Sequence, residues 1–210
     1  MTRFTRLAGI AGAAGLAAYL LAASPAALAA PAVGQPAPDI QAVDTNGNPV
    51  NLSDYRGRVV LLEWTNRDCP FVRKHYDTDN MQNLQRSTGE QDAVWLTIIS
   101  SAEGEQGYLT AEEANSHVAA VKAAPTAKIL DPKGEIGRAY GATVTPHMYV
   151  IDAEGNLAYA GAIDDKPSTR PADIETARPY FREAVEAVKA GETPDPATTR
   201  AYGCTIKYSS

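Results

Sequence analysis

The chain has 210 residues, of which 44% are hydrophobic and 21% charged, and its formal net charge is −6. These proportions suit one globular domain with extensions and argue against a disordered, collagen-like or coiled-coil chain. Acidic residues outnumber basic ones by 25 to 19, so we expect no nucleic-acid partner. With only 2 cysteines the chain is neither a disulfide-rich scaffold nor a cysteine-cluster metal protein, and we expect no metal site. Glycine motifs for phosphates or dinucleotides are absent, and no cofactor is predicted.

Residues 1–29 have the features of a secretory signal peptide. Two arginines are their only charges, and an uncharged run rich in alanine, leucine and glycine extends over Leu7–Leu28. Ala27 and Ala29 form the small-x-small pattern that signal peptidases accept. We therefore predict a periplasmic or secreted protein that starts near residue 30 and keeps no membrane span after cleavage. The alternative is an uncleaved anchor, because the run is long enough to cross a bilayer.

The mature domain, residues 30–190, alternates strand-like and helix-like segments. Short apolar runs bounded by turn residues predict strands at 40–43, 50–52, 59–64, 93–100, 127–130, 147–152 and 157–162. Helices are predicted from the Cys69-Pro70 pair to about residue 88, from Thr110 to about 122, over 134–140 and over 174–188. Parallel crossovers followed by an antiparallel hairpin predict an α/β fold with a mixed sheet and helices on both faces. The tail, residues 191–210, has little periodicity, and we expect it to be flexible.

Cys69 is the residue that we expect to carry the chemistry. It follows a buried strand and directly precedes Pro70, and proline is favoured at the first position of a helix. The helix dipole and the free amide hydrogens of the first turn favour the thiolate form of such a cysteine. The nearby Arg73, Lys74 and His75 are expected to add positive field. The alternative is that Cys69 is a small buried hydrophobic residue, as free cysteines usually are.

Residues 63–74, with the sequence EWTNRDCPFVRK, resemble the active-site segment of thioredoxin-fold proteins. The most similar branch is the redoxin group, which includes the alkyl hydroperoxide reductase/thiol-specific antioxidant proteins. The resemblance spans roughly residues 34–190 and implies a thioredoxin-like α/β/α sandwich with a mixed sheet and an N-terminal β-hairpin extension. More narrowly, the Cys-Pro-Phe-Val motif and the tail sequence YGCTIKY at 202–208 resemble a peroxiredoxin-like subgroup.

The resemblance also implies an activity, a thiol-dependent oxidoreductase or antioxidant with Cys69 as nucleophile. Its substrate would be a peroxide, or a protein or low-molecular-weight disulfide, and an external thiol would reduce it again. By the same resemblance Pro146 is a cis-proline that faces Cys69 and offers backbone groups to an extended substrate. The residues expected to support the active site are Thr65, Asn66, Pro70, Arg73, Thr145 and Pro146.

The sequence departs from the family patterns in two places. Val72 stands where a Cys-x-x-Cys motif has its second cysteine, so two-thiol exchange within that motif is impossible. In the Pro-x-x-x-Thr/Ser-x-x-Cys motif of peroxiredoxins, Asn66 replaces the hydroxyl residue and Leu62 replaces the proline. The hydroxyl that would orient a peroxide is absent from its usual place, although Thr65 is adjacent, and this weighs against peroxidase activity.

Cys204 in the tail is the second candidate catalytic residue. When a peroxide converts a thiolate to sulfenic acid, a second thiol condenses with the sulfenic acid to a disulfide. The chain has only these two cysteines, and an exported protein is allowed a disulfide. A Cys69–Cys204 couple in which a mobile tail brings the resolving thiol is therefore one interpretation. A structural or unpaired Cys204 is the other.

A non-catalytic binding module of the same fold, or a copper-handling protein, is the alternative function. Copper would then be held by Cys69, Cys204 and His147. The three histidines lack the spacing of zinc ligands, and each is interpreted as structural. The Asp164-Asp165 pair ends a predicted strand and is interpreted as a solvated turn rather than a catalytic carboxylate pair.

Overall fold

The structure is a computed structural model that describes residues 1–2 and 30–209. The predicted signal peptide therefore lies outside the described residues, apart from its first two. The strands are β1 (Gln41–Val43), β2 (Pro49–Asn51), β3 (Val60–Trp64), β4 (Val94–Ile99), β5 (Ala127–Leu130), β6 (Val144–Thr145), β7 (His147–Ile151), β8 (Leu157–Gly161) and β9 (Cys204–Thr205). The helices are α1 (Pro70–Tyr76), α2 (Asn80–Gly89), α3 (Ala111–Ala120), α4 (Glu135–Ala139) and α5 (Tyr180–Lys189), with 3-10 turns at Leu52–Tyr55 and Pro171–Thr176.

The central sheet has five strands in the order β5-β4-β3-β7-β8. Strand β3 runs parallel to β4, and β4 runs parallel to β5, whereas β7 is antiparallel to both β3 and β8. The β1–β2 hairpin forms a separate antiparallel sheet at the N-terminal side. The predicted mixed sheet and the N-terminal hairpin are both confirmed.

Alternate side chains of β3 pack into two hydrophobic cores, one on each face of the sheet. Leu62 and Trp64 pack on the face covered by the hairpin, by Tyr140 after α4 and by the C-terminal tail. Leu61 points to the opposite face, which α1, α2 and α5 cover. All three β3 side chains are fully buried, and each contributes about 1.5–3 kcal/mol by leaving water. This two-sided burial explains why the strand reads as a continuous apolar run.

The predicted helix from Cys69 to residue 88 is wrong in one respect, because the structure divides it into α1 and α2. The Thr78 hydroxyl donates to the Lys74 carbonyl at 2.8 Å, and Asp79 adopts a left-handed conformation with φ of 58°. The Gln82 side chain donates to the Tyr76 carbonyl at 2.9 Å and so satisfies the end of α1. Short polar side chains compete with helical hydrogen bonds in this way, and three of them follow one another at 77–79.

The last predicted helix starts later than its apolar spacing indicates. Ile174 lies in the 3-10 turn, and α5 begins only after Pro179. The residue before a proline is disfavoured in the helical conformation, which separates the two segments. By contrast, Thr110 and Glu113 form the predicted capping box at the start of α3, where the Thr110 side chain accepts from the Glu113 amide at 3.3 Å.

The tail is packed against the domain, in contrast to the flexible segment that its sequence predicts. Strand β9 pairs antiparallel with β6, and Ile206 is buried in the core beside Trp64. The Tyr208 hydroxyl donates to the Ala142 carbonyl at 2.7 Å. None of the helices within the described residues combines the length and hydrophobicity that crossing a membrane requires.

Candidate active site

Cys69 lies at the carboxyl end of β3, directly before the first residue of α1. Its extended backbone (φ −79°, ψ 119°) makes it the N-cap of that helix, and Pro70 occupies the first helical position as predicted. The Cys69 carbonyl accepts the amide of Arg73 at 2.9 Å. The side chain is fully buried in the core formed with α1, α2 and α5. A thiol in this place is held rigidly and is shielded from bulk water.

The Cys69 thiol faces the loop that contains Pro146. The Thr145–Pro146 peptide bond is cis, and Cys69 Sγ donates to the Thr145 carbonyl oxygen at 3.1 Å. Both Thr145 and Pro146 are buried. The structure thus brings together Cys69, Thr145 and Pro146, three of the predicted site residues.

Cys204 lies opposite Thr145 in the β6–β9 strand pair. Strands β6 and β9 pair Thr145 with Cys204, and such antiparallel partners have Cα atoms about 4.5–5.5 Å apart. Both cysteines are free thiols, and the partly exposed Cys204 packs at the edge of the core that contains Cys69. Burial, reinforced by a hydrogen bond with Cys69, raises the pKa of Cys204 to about 12. The two thiols, 135 positions apart in sequence, are therefore neighbours in the fold.

Asn66 and Thr65 are part of the loop between β3 and Cys69. The Asn66 Oδ1 atom accepts the Asp68 amide at 2.9 Å, and its Nδ2 atom donates to the Gln106 carbonyl at 3.4 Å. The Thr65 amide donates to the Ile98 carbonyl at 3.0 Å, and its side chain is buried. These bonds fix the path of the loop that presents Cys69, so the contribution of Asn66 is to loop geometry.

The basic residues after Cys69, predicted to add positive field there, have other partners or are neutral. Arg73 is exposed and pairs with Asp77 at 3.5 Å. Lys74 is buried and pairs with Asp164 at 3.4 Å. Burial, with the charge of Lys74, lowers the pKa of His75 to about 4, so His75 is neutral near pH 7. Their charges are thus paired locally or absent.

Asp164 is not the solvated turn residue that the sequence predicts. It is buried, and it accepts hydrogen bonds from the Tyr202 hydroxyl, from Lys74 and from the Lys166 amide. The Lys74 amino group also donates to the Tyr202 hydroxyl at 3.2 Å. Phe71 of α1 packs edge-on against the Tyr202 ring, with ring centroids 5.8 Å apart. Tyr202 therefore anchors the tail two residues before Cys204.

Sequence reasoning missed this buried network because it joins three distant segments. Lys74 follows the Cys69 motif and was predicted only to add positive field there, whereas Asp164 and Tyr202 lie 90 and 128 positions further on. The only signal in the sequence was Tyr202, the first of the two tyrosines of the YGCTIKY tail.

The copper-binding arrangement of Cys69, Cys204 and His147 is not formed. Across the described part of the chain, no three or more His, Cys, Asp or Glu side chains cluster so as to hold a metal ion. His147 instead stacks near Tyr149, whose hydroxyl lies 3.2 Å from His147 Nδ1. Burial lowers the pKa of His147 to about 4.

A comparison with protein families matches residues 32–177 to Redoxin. The chain belongs to the redoxin family. This match includes Cys69, the cis-proline loop and the hairpin, and it makes the chain a thioredoxin-like redox protein. It ends before the tail that carries Cys204. A search of curated proteins found none that matches the chain.

Solved structures share the fold of this redoxin. A hypothetical protein from Sinorhizobium meliloti is 24% identical, with a TM-score of 0.71 over 85% of this chain and 96% of that one. An uncharacterized conserved protein from Geobacillus kaustophilus is 22% identical, with a TM-score of 0.73 over 85% and 93%. A putative thiol:disulfide interchange protein DsbE from Chlorobium tepidum is 24% identical, with a TM-score of 0.54 over 77% and 98%. These similarities confirm the thioredoxin-like fold.

Proposed function

We propose that the protein is an exported thiol oxidoreductase in which Cys69 and Cys204 form a reversible dithiol/disulfide couple. The observation that carries the proposal is that both cysteines contact Thr145. Cys204 is the strand partner of Thr145, and the Thr145 carbonyl oxygen accepts a hydrogen bond from the Cys69 thiol at 3.1 Å. Val72 removes the usual partner from the active-site motif, and Cys204 supplies a second thiol from the tail.

The nucleophile of the couple is Cys69, at the start of α1. With a peroxide, the Cys69 thiolate attacks one peroxide oxygen, the O–O bond breaks, and the products are a sulfenic acid and an alcohol or water. The Cys204 sulfur then attacks the Cys69 sulfur, a disulfide forms, and water leaves with the Cys204 proton. With a disulfide substrate, Cys69 forms a mixed disulfide, Cys204 displaces the substrate thiol, and the same internal disulfide results.

The packed tail makes the second step unimolecular. The Tyr202 hydroxyl donates a hydrogen bond to Asp164, and Ile206 is buried in the core. The chain is therefore fixed to the domain both before and after Cys204. The second thiol is therefore present before oxidation and does not have to be carried in by a mobile segment. Holding reactants together in this way replaces a bimolecular collision by an internal reaction.

The proposed location rests on residues 1–29, whose two arginines, apolar run and Ala27-x-Ala29 pattern favour export. A disulfide between Cys69 and Cys204 persists in an oxidising compartment such as the periplasm. The proposed chemistry therefore depends on export, because in a reducing compartment Cys69 and Cys204 would stay as two thiols.

The test is to treat the reduced mature protein with one equivalent of hydrogen peroxide or of oxidised glutathione and to measure its intact mass. We expect the loss of two hydrogen atoms in the wild type, at monomer mass on a non-reducing gel. Cys204→Ser should instead accumulate sulfenic acid or a glutathione adduct on Cys69, and Cys69→Ser should gain no sulfenic acid. The two oxidants separate peroxide from disulfide substrates.

A matched control is Ser101→Ala, which changes a buried hydroxyl elsewhere and leaves both thiols in place. If wild type and Cys204→Ser give identical oxidation products, the couple does not exist. Stoichiometric copper binding that needs both cysteines, without thiol oxidation, would support the copper-handling alternative instead.

A further inference from the structure

A groove with a volume of about 700 Å³ lies beside the tail, next to the residue that precedes Cys204. Its walls come from the tail segment 199–203, from the loop at 164–167 and from Val144 and Tyr180. A site of this volume accommodates a small organic molecule or a short peptide. The groove adjoins the proposed couple, because Gly203, the residue before Cys204, forms part of its wall.

The groove has one charged side chain of each sign that takes part in no ion pair among the described residues, although Asp165 Oδ1 accepts the Arg178 amide at 2.9 Å. Arg200 is exposed and takes part in none of the ion pairs among the described residues. Asp165 is also exposed, whereas its neighbour Asp164 is committed to Lys74 and Tyr202. The remaining wall is largely apolar, with Val144 and Tyr180 among its residues. This pattern complements a molecule that bears both a carboxylate and an ammonium group.

The two sulfurs differ in their access to solvent. Cys69 is fully buried, whereas Cys204 is partly exposed. In a disulfide between them, Cys204 presents the sulfur that an external thiol meets first. Which sulfur is attacked in thiol–disulfide exchange depends on this access.

We propose that the groove binds a small thiol of the amino-acid or peptide type, and that this thiol reduces the Cys69–Cys204 disulfide by attacking the Cys204 sulfur. The inference rests on the proposed function and deepens it, since it names the class of reductant and its point of entry.

The proposed reduction of the Cys69–Cys204 disulfide takes two thiol–disulfide exchanges. The first external thiolate forms a bond to the Cys204 sulfur, the Cys69–Cys204 bond breaks, and Cys69 leaves as thiolate. A second external thiolate attacks the sulfur of the first, and Cys204 leaves. The external thiols are oxidised to their disulfide, and the protons that they release re-protonate the two cysteines.

The leaving groups favour the same direction. Burial and its neighbour raise the pKa of Cys204 to about 12. A thiol with so high a pKa leaves slowly, so attack on Cys69 with release of Cys204 is the slower route. Attack on Cys204 does not release Cys204 in the first step. Its release falls in the second exchange, which is therefore the slower of the two steps and lets the mixed disulfide on Cys204 accumulate.

The first experiment locates the attacked sulfur. The oxidised wild-type protein is mixed with glutathione, quenched after a short time with excess N-ethylmaleimide in denaturant, and mapped by peptide mass. We expect glutathione on Cys204 and the alkyl group on Cys69, in an excess of about tenfold over the reverse pattern. Glutathione mainly on Cys69 would overturn the inference while leaving the couple intact. If no internal disulfide forms before glutathione is added, the proposed function itself fails.

The second experiment tests the groove. Reduction rates with glutathione, which carries carboxylates and an ammonium group, are divided by rates with neutral 2-mercaptoethanol. Arg200→Ala should lower this ratio about two- to fivefold, as expected for an exposed charge pair. Arg182→Ala, which removes an exposed arginine outside the groove, is the matched control and should keep the wild-type ratio. If Arg200→Ala keeps the wild-type ratio, as Arg182→Ala is expected to do, the groove is excluded as the docking site.

Discussion

Gly203 packs so closely on Thr145 that a Cβ atom at position 203 would lie 1.9 Å from the Thr145 carbonyl oxygen. Gly203 also has φ of +142°, which side-chain-bearing residues rarely adopt. The same carbonyl oxygen accepts the Cys69 thiol. A glycine before Cys204 is therefore what allows the tail to reach the loop that faces Cys69.

Gly203→Ala tests whether the tail shields Cys69. The added methyl group cannot fit against Thr145, so β9 should separate from β6. In a Cys204→Ser background, where Cys69 is the only thiol, we expect alkylation of Cys69 by iodoacetamide to accelerate at least tenfold. The measurement is the rate of mass increase under native conditions.

Gly89→Ala is the control for this substitution, because nothing lies within 4 Å of a Cβ at position 89 and its φ is not positive. It should leave the alkylation rate of Cys69 unchanged. If Gly203→Ala also leaves the rate unchanged, access to Cys69 does not pass through the tail.

Much of the fold could be predicted from the sequence because its determinants are local or periodic. The β3 run reads as a buried strand, and the Thr110 capping box marks a helix start three residues from Glu113. The break at Asp79 could not be predicted from apolar spacing, since it depends on side chains that bond back to the end of α1. Packing of the tail depends on contacts between residues far apart in sequence, such as Tyr202 with Asp164, 38 positions apart, and Tyr208 with Ala142, 66 positions apart.

The residues of the candidate site also differ in whether the sequence alone could identify them. Cys69 and Pro146 could be identified because each belongs to a short motif. The role of Asp164 could not, because a carboxylate at the end of a strand is normally solvated and its partners Lys74 and Tyr202 come from other segments. Whether Cys204 meets Cys69 is likewise a property of tertiary packing, which spacing alone leaves open.

Tyr202→Phe should loosen the tail without removing the ring that packs on Phe71. The substitution deletes the hydroxyl that donates to Asp164 and accepts from Lys74. Losing a hydrogen bond to a charged group, and leaving that group less well satisfied, costs about 1–3 kcal/mol. We expect the free energy of unfolding in urea to fall by this amount in the reduced protein.

Tyr108→Phe is the matched control, because the Tyr108 hydroxyl has no hydrogen bond to a described side chain or carbonyl and the residue is only half-buried. It should change the unfolding free energy by less than about 0.5 kcal/mol. Equal effects of the two substitutions would mean that the Tyr202 hydroxyl does not anchor the tail.

Export predicts a processed N-terminus. Expressed with its full sequence, the protein should be recovered from the periplasm or medium with an intact mass that starts at Ala30. Ala29→Arg should block processing, because signal peptidases require a small residue directly before the cleavage point. Ala32→Ser is the control, because it lies beyond the cleavage point and should be processed normally. Ala26→Arg would not serve, since it alters the apolar run. Full-length wild-type protein retained in the membrane would instead indicate the anchor.

Acid should destabilise the fold through His75. Burial, with the charge of Lys74, holds the pKa of His75 at about 4, against the attraction of Asp164, while the unfolded value is about 6.5. The unfolded chain therefore binds more protons between these values, so the contribution of His75 is complete above pH 6.5 and is lost as the pH falls toward 4. Between pH 7 and pH 5 this amounts to about 2 kcal/mol.

His75→Gln should remove that part of the pH dependence, measured as the difference in urea unfolding free energy between pH 7 and pH 5 under reducing conditions. His147, whose pKa is also about 4, and Glu63, whose burial raises its pKa and gives the opposite slope, are present in both proteins and cancel in the comparison. His117→Gln is the control, because His117 is partly exposed and should carry a smaller share. His75 Nδ1 lies 2.8 Å from the Asn80 amide nitrogen, which can only donate, so the neutral ring carries its proton on the buried Nε2. A second ring proton would have to sit on Nδ1 and would break the hydrogen bond from Asn80. A wild-type pH dependence in His75→Gln would show that His75 binds protons equally in the folded and unfolded states, which would contradict the prediction.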